Sequence, residues 1–197
     1  MADFVIIPDS SSDLTKELRY RFDIPDYIKG IVYFPDGHWE FADHDWEKYD
    51  PKTFYESMTD KKTIYKTACA PVEDIISVYE KHLKEGKDIL AITLSSALSG
   101  TYQTCEMVKA QLLEKYPERK IICVDSMRYS TALSLLVIMA AMKRQEGATL
   151  EETAEFPILR RFLERWLVSI PWPTLTATDS LRFWESSRVK RRLLTLL

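Results

Sequence analysis

The sequence contains few of the residues that form covalent cross-links. Its only cysteines are Cys69, Cys105 and Cys123, an odd number without a C-x-x-C spacing. This pattern argues against a disulfide framework and against a zinc site of the usual spacing. The apolar periodicity places Cys105 and Cys123 on buried faces, where free cysteines commonly lie. Free cysteines fit a reducing compartment, so we expect a cytoplasmic protein.

The chain also lacks the segments that targeting and membrane insertion require. Its N-terminus carries Asp3 early and has no basic region, so we predict no signal peptide. The most apolar stretch, residues 132–142, is too short to cross a bilayer. Hydrophobic residues make up 46% of the sequence and charged residues 29%, which is typical of a globular protein. We therefore expect no transmembrane segment.

Motifs of common catalytic and metal sites are missing. The sequence has no G-x-S-x-G nucleophile elbow and no G-x-x-x-x-G-K-[ST] phosphate loop. His38 and His44 lie with two aspartates in residues 38–46, but no third convergent metal ligand is indicated elsewhere. We therefore favour a solvated loop or edge strand there, with its aromatic side chains turned inward. The remaining histidine, His82, is predicted to lie on the exposed face of a later helix.

The sequence does contain a unit of strand, hydroxyl-rich loop and helix that occurs three times, in residues 4–22, 89–116 and 120–146. This alternation predicts an α/β fold, a parallel sheet with helices on both faces. Ligands of such sheets bind outside the carboxyl ends of the strands. We therefore expect the three loops to converge there and to hold a small polar or anionic group through hydroxyl and N–H donors.

The unit in residues 89–116 has the most informative loop. Residues 89–94 are apolar or β-branched and predict a buried strand, and residues 101–116 have the spacing of an amphipathic helix. Ser99, Gly100 and Thr101 stand at the helix start, where backbone N–H groups lack partners and an anion is stabilised. The alternative is that Ser99 or Thr101 simply caps the helix.

Residues 95–103, Ser-Ser-Ala-Leu-Ser-Gly-Thr-Tyr-Gln, resemble the signature of the DegV family, bacterial proteins that bind fatty acids. The resemblance covers residues 3–155. It implies that Ser99, Gly100 and Thr101 hold the carboxylate of a bound long-chain fatty acid.

Three further segments resemble motifs of the same family. They are Asp9-Ser10 after the first strand, a ligand loop in residues 65–71, and Asp125-Ser126 after the third repeated strand. The resemblance implies that Ser10, Thr67 and Ser126 also contribute to the ligand site. In the loop, Ala68 replaces the usual serine, so only the hydroxyl of Thr67 is retained.

The resemblance also implies a function. The acyl chain would lie in an apolar tunnel, and its carboxylate would be presented to a separate fatty-acid kinase subunit that makes the acyl phosphate. The protein would then be a lipid-binding protein without catalytic activity, cofactor or metal. Two alternatives remain open, namely a small-anion-binding or hydrolase-like α/β enzyme, and a non-functional fragment of a longer binder.

The sequence changes character after residue 155. Residues 1–155 carry a net charge of −8, whereas residues 156–197 carry +5. We interpret the first part as the acyl-binding domain and the second as the incomplete start of another domain, in a truncated or partly shifted reading of a longer gene. Arg188 resembles the family's ligand-side arginine. The alternative is a basic tail that docks on membrane or nucleic acid, but its arginines are interleaved with apolar residues, so we expect no nucleic-acid partner.

Overall fold

The computed structural model describes residues 4–46, 48–60 and 62–155. Its strands are β1 (Phe4–Pro8), β2 (Ile31–Tyr33), β3 (Trp39–Phe41), β4 (Lys66–Ala68), β5 (Asp88–Thr93) and β6 (Ile121–Asp125). Its helices are α1 (Lys16–Arg21), α2 (Pro51–Ser57), α3 (Val72–Lys84), α4 (Thr101–Lys115), α5 (Thr131–Gln145) and α6 (Leu150–Ala154). The predicted second domain, residues 156–197, and Arg188 within it lie outside the described residues.

The main sheet is parallel, with β5 between β1 and β6. Successive residues of a strand point to opposite faces, and both faces here are covered. On one face, Ile6 and Leu90 pack in a cluster with Leu133 of α5. On the other face, Ile7 and Ala91 pack in a cluster with side chains of α3 and α4. The predicted parallel sheet with helices on both faces is therefore confirmed.

A second, smaller sheet is antiparallel, with β2 between β3 and β4. It corrects two expectations. Thr67 does not lie in a loop but in β4, where it pairs with Val32 of β2. Two of the three aromatic side chains of the histidine-containing segment are not turned inward, since Trp39 is 52% and Phe41 39% exposed, whereas Trp46 is half-buried and packs against Phe54. The reason is that β3 is an edge strand of a three-stranded sheet, and no described helix packs extensively over it.

His82 was predicted to be exposed, and this prediction is wrong. Its side chain is 2% exposed, and its Nε2 lies 2.8 Å from the carboxylate of Asp26. The segment that carries Asp26 covers this end of α3, a contact that the spacing of the helix alone does not reveal. Of the two cysteines predicted to be buried, Cys105 is buried and Cys123 is intermediate, whereas Cys69 is exposed.

The helix ends follow local sequence signals. A capping box begins α6, because the Thr149 hydroxyl accepts the N–H of Glu152 and the Glu152 carboxylate accepts the N–H of Thr149. Pro51 stands in the first turn of α2, after an Asp50 side-chain cap. In the part of the chain that the structure describes, no helix combines the length and the apolar character needed to cross a membrane.

Candidate functional site

The three hydroxyl-rich loops meet at the carboxyl end of the parallel sheet, as predicted. A short 3-10 turn, Ser10–Ser12, follows β1, and the loops after β5 and β6 lie beside it. Hydrogen bonds join them directly. The N–H of Ser130 donates to the carbonyl of Ser11 over 2.9 Å, and the N–H of Ser95 donates to the carbonyl of Arg128 over 2.9 Å. The parallel register of the strands produces this arrangement because it brings their ends to one edge.

The start of α4 is open. Gly100 is the capping residue and has no side chain, and the Ser99 hydroxyl accepts only the N–H of Thr101, over 3.3 Å. The Ser99 and Thr101 hydroxyls also bond each other over 2.9 Å. Among the residues that the structure describes, the N–H groups of Gly100, Tyr102 and Gln103 have no acceptor. Helix capping by Ser99 or Thr101 therefore leaves most of the helix start available to an anion.

A cavity of about 960 Å³ lies over this helix start. Five residues predicted for the site line it, namely Ser10, Thr67, Ser99, Gly100 and Thr101. The cavity thus brings a residue of the small sheet, Thr67, to the same space as the serine-glycine loop. The Ser10 hydroxyl already accepts the N–H of Gly30 over 3.1 Å.

Ser126 is not among the residues that line this cavity. It is 1% exposed, and its hydroxyl accepts the N–H of Arg128 over 3.0 Å. Its side chain therefore shapes the loop after β6 at the place where the sequence predicted a ligand contact.

Part of the cavity wall is rich in aromatic side chains that the sequence analysis did not assign to the site. They are Phe34, Phe41, Trp46, Tyr49, Phe54 and Tyr55. Several pack against one another, with ring centroids 5.3 Å apart for Trp46 and Phe54. The high density of aromatic residues between positions 33 and 55 was the signal that could have indicated this wall. Such a surface suits a hydrocarbon chain.

The charges around the cavity do not by themselves attract an anion. Asp9, Asp13, Glu40 and Asp43 line it, and Lys48 lies within hydrogen-bond distance of Glu40, at 3.0 Å. Lys66 in β4 and Arg128 in the loop after β6 are not among the lining residues. An anionic head group here would therefore depend on N–H and hydroxyl donors.

The buried histidine of the site does not form a catalytic pair with serine. His44 Nε2 lies 2.8 Å from the carbonyl oxygen of Ser10, so this nitrogen carries the proton and donates it. The hydroxyl of Ser12 lies 3.5 Å from the same nitrogen, but Ser12 is fully buried and its hydroxyl donates to the Asp9 carbonyl. Burial lowers the pKa of His44, which keeps the imidazole neutral. A hydrolase-like site is thus not supported by this pair.

Residues 4–46, 48–60 and 62–155 contain no group of three or more histidine, cysteine, aspartate or glutamate side chains arranged to hold a metal ion. Both histidines of the acidic segment have other neighbours. His38 lies 2.5 Å from the carboxylate of Asp36, and His44 stacks on Tyr27 with ring centroids 4.0 Å apart.

Comparison with known proteins gives matches over the same region. The family model described as "Uncharacterised protein, DegV family" matches residues 3–156. A DegV domain-containing protein of Clostridium perfringens is 30% identical over 159 residues, which are 81% of this chain and 53% of that protein. A protein of Thermotoga maritima named fatty acid-binding protein is 32% identical over 161 residues, 81% of this chain and 51% of that protein.

A solved structure shows the same fold. It is described as a DegV lipid binding protein from Thermotoga maritima, and it superposes with a TM-score of 0.70 at 28% identity. The match covers 84% of this chain and 55% of that structure's chain. The chain therefore spans about half the length of the relatives that it matches.

Proposed function

Because this chain belongs to the DegV family, we propose that it binds a long-chain fatty acid, whose carboxylate contacts Ser99, Gly100, Thr101 and Thr67. The observation that carries the proposal is the open start of α4, which faces a cavity with an aromatic wall. A carboxylate there accepts hydrogen bonds from N–H groups that have no other acceptor in the described part of the chain, and the helix dipole stabilises its charge. The relative from Thermotoga maritima that is named for fatty-acid binding supports the same ligand.

The two parts of such a ligand would contribute differently to binding. Each buried methylene contributes about 0.8 kcal/mol, so a dozen methylenes contribute on the order of 10 kcal/mol before the entropy costs of binding. The cavity of about 960 Å³ is large enough for a chain of this size. The carboxylate gains hydrogen bonds but loses hydration and lies near acidic side chains. We therefore assign affinity mainly to the acyl chain and orientation to the helix start.

The proposal includes a partner, which rests on the family resemblance. The bound carboxylate is presented to a separate fatty-acid kinase subunit, and this protein itself catalyses no reaction. The geometry is compatible with that role, because Gly100 is exposed at the end of the sheet, where a second protein can reach the head group.

Residues 1–155 form the acyl-binding domain in this proposal. Residues 156–197, with Arg188, belong to a further domain that lies outside the described residues.

The test is native mass spectrometry of the purified full chain after incubation with palmitate, followed by organic extraction. The wild-type protein should carry one fatty acid, and the variant with both Ser99→Ala and Thr67→Ala should lose it. Thr104→Ala is the matched control, because its hydroxyl donates to the Gly100 carbonyl and does not line the cavity. It should retain the ligand.

Two results would contradict the proposal. One is a wild-type chain that is folded, as judged by circular dichroism, but carries no fatty acid after incubation. The other is equal retention of fatty acid by the wild-type protein and the double variant, which would place the head group elsewhere.

A further inference from the structure

The end of β5 is held from both sides by carboxylates of the neighbouring strands. The N–H of Leu94 donates to Oδ2 of Asp9 over 2.7 Å, and the N–H of Ser96 donates to Oδ1 of Asp125 over 3.1 Å. Asp9 directly follows β1, and Asp125 is the last residue of β6. Because β1 and β6 flank β5, the two acids reach the loop after β5 from opposite sides.

The remaining N–H groups of this loop are also accepted. The N–H of Ser95 donates to the carbonyl of Arg128, and the N–H groups of residues 97–99 are accepted by oxygens of Ser95 itself. Every N–H from residue 94 to residue 99 therefore has an acceptor, and Gly100 carries the first N–H without an acceptor among the described residues. The N–H groups available to a ligand therefore begin directly after the part of the loop whose N–H groups are hydrogen-bonded.

We infer that Asp9 and Asp125 are positioning residues for the proposed carboxylate site and act through the backbone of residues 94–96. Asp9 lines the cavity and Asp125 does not, and we assign neither of them a hydrogen bond to the carboxylate of the fatty acid. By holding the strand end from both sides, they set the direction in which the N–H of Gly100 and the first turn of α4 point. This inference rests on the proposed function of the loop.

The two carboxylates differ in how they bond, and this difference makes the inference testable. Oδ1 of Asp125 accepts both the N–H of Ser96 and the N–H of Met127, the latter over 3.0 Å. Its Oδ2 has no hydrogen bond within the described part of the chain. Asparagine can therefore replace Asp125 without loss of an acceptor, because its single carbonyl oxygen can take the place of Oδ1.

Asp9 uses both of its oxygens. Oδ1 accepts the N–H of Ser11 over 2.9 Å, and Oδ2 accepts the N–H of Leu94. Asparagine has one acceptor oxygen and one NH₂ group. Its NH₂ group would therefore face the backbone N–H of either Ser11 or Leu94, and that N–H would lose its acceptor. Asparagine should thus restore function at position 125 and fail to restore it at position 9. If the site required only a negative charge at these positions, asparagine would fail to restore binding at both of them.

The test measures dissociation constants of the full chain for palmitate and for hexadecanol, which has the same chain length but no carboxylate. Asp125→Ala should weaken palmitate binding about tenfold, which corresponds to the loss of one well-placed hydrogen bond, and should leave hexadecanol binding unchanged. Asp125→Asn should bind palmitate at least as tightly as the wild type, since it removes a negative charge that repels the carboxylate of palmitate. Asp9→Asn should weaken palmitate binding as Asp125→Ala does.

Asp88→Ala is the matched control. Asp88 also accepts a backbone N–H, that of Lys120 over 2.9 Å, but at the opposite end of β5. Its replacement should change stability without changing the ratio of the two dissociation constants. If Asp125→Ala does not fold, the two asparagine variants alone decide the test.

The outcomes separate this inference from the function on which it rests. A wild-type protein that binds palmitate while Asp125→Ala and Asp9→Asn bind it equally well overturns only the positioning role. Equal losses for palmitate and hexadecanol overturn it as well, because they indicate general damage to the fold. A wild-type protein that binds neither ligand overturns the proposed function and this inference together.

Discussion

Replacement of Asp9 by asparagine should change how the stability of the protein depends on pH. Burial of this side chain, which is 2% exposed, raises its pKa from 3.8 to about 6, against the opposing effect of the N–H groups of Leu94 and Ser11. The folded protein therefore binds this proton more tightly than the unfolded chain does. The stabilising contribution of protonated Asp9 is fully present below about pH 3.8 and is lost as the pH rises through about 6.

The size of the effect follows from the shift. A change of one pKa unit corresponds to roughly 1.36 kcal/mol, so the whole shift corresponds to about 3 kcal/mol. Between about pH 4.5 and about pH 8, the contribution of Asp9 should fall by about 2 kcal/mol. Asparagine cannot ionise, and its NH₂ group leaves one backbone N–H without an acceptor. This loss should lower the free energy of unfolding by about 1–3 kcal/mol at every pH. The wild type should thus exceed Asp9→Asn in stability most clearly at low pH.

Urea unfolding followed by circular dichroism at both pH values measures this difference. The comparison of wild type and variant at each pH cancels the contributions of all other titrating groups. Asp60→Asn, an exposed aspartate, controls for the loss of one negative charge. A difference in stability that stays constant across the pH range, or that grows at high pH, would show that burial does not control the ionisation of Asp9.

Two further predictions concern other parts of the fold. Asp26 accepts a hydrogen bond from His82, which with Lys81 lowers the pKa of Asp26 to about 2, so its contribution is present above its ordinary pKa and is lost as the pH falls towards 2. Asp26→Asn should lower the free energy of unfolding by about 1 kcal/mol at neutral pH, and a difference in urea unfolding that persists at pH 2 would contradict this. Thr149→Ala should remove the cap of α6 and cost about 1 kcal/mol in urea unfolding, whereas Thr149→Ser should keep it, and equal stability of the two variants would contradict the role of the cap.

The elements of the main sheet could be predicted because their signals are local. The apolar run of residues 89–94 predicted β5, which the structure has as Asp88–Thr93. The spacing over residues 101–116 predicted α4, observed as Thr101–Lys115. In both cases the residues that define the element are neighbours in sequence, so the pattern can be read without any knowledge of the fold.

The small sheet and the buried histidine could not be predicted in this way. Thr67 lies in a strand because it pairs with Val32, a residue far away in the sequence. His82 is buried because the segment with Asp26 covers it. Three-residue strands and single tertiary contacts have no periodicity of their own, so the sequence contains no local signal for them.

The local sequence pattern is sufficient to predict the order of strand, loop and helix units, and hence that three hydroxyl-rich loops end at one edge of a parallel sheet. It also predicts that Ser99, Gly100 and Thr101 stand at a helix start. Which N–H donors remain without an acceptor there depends on the tertiary structure. The acceptors for residues 94 and 96 are Asp9 and Asp125, which come from other strands, so the partners of each N–H depend on the packing of the whole sheet.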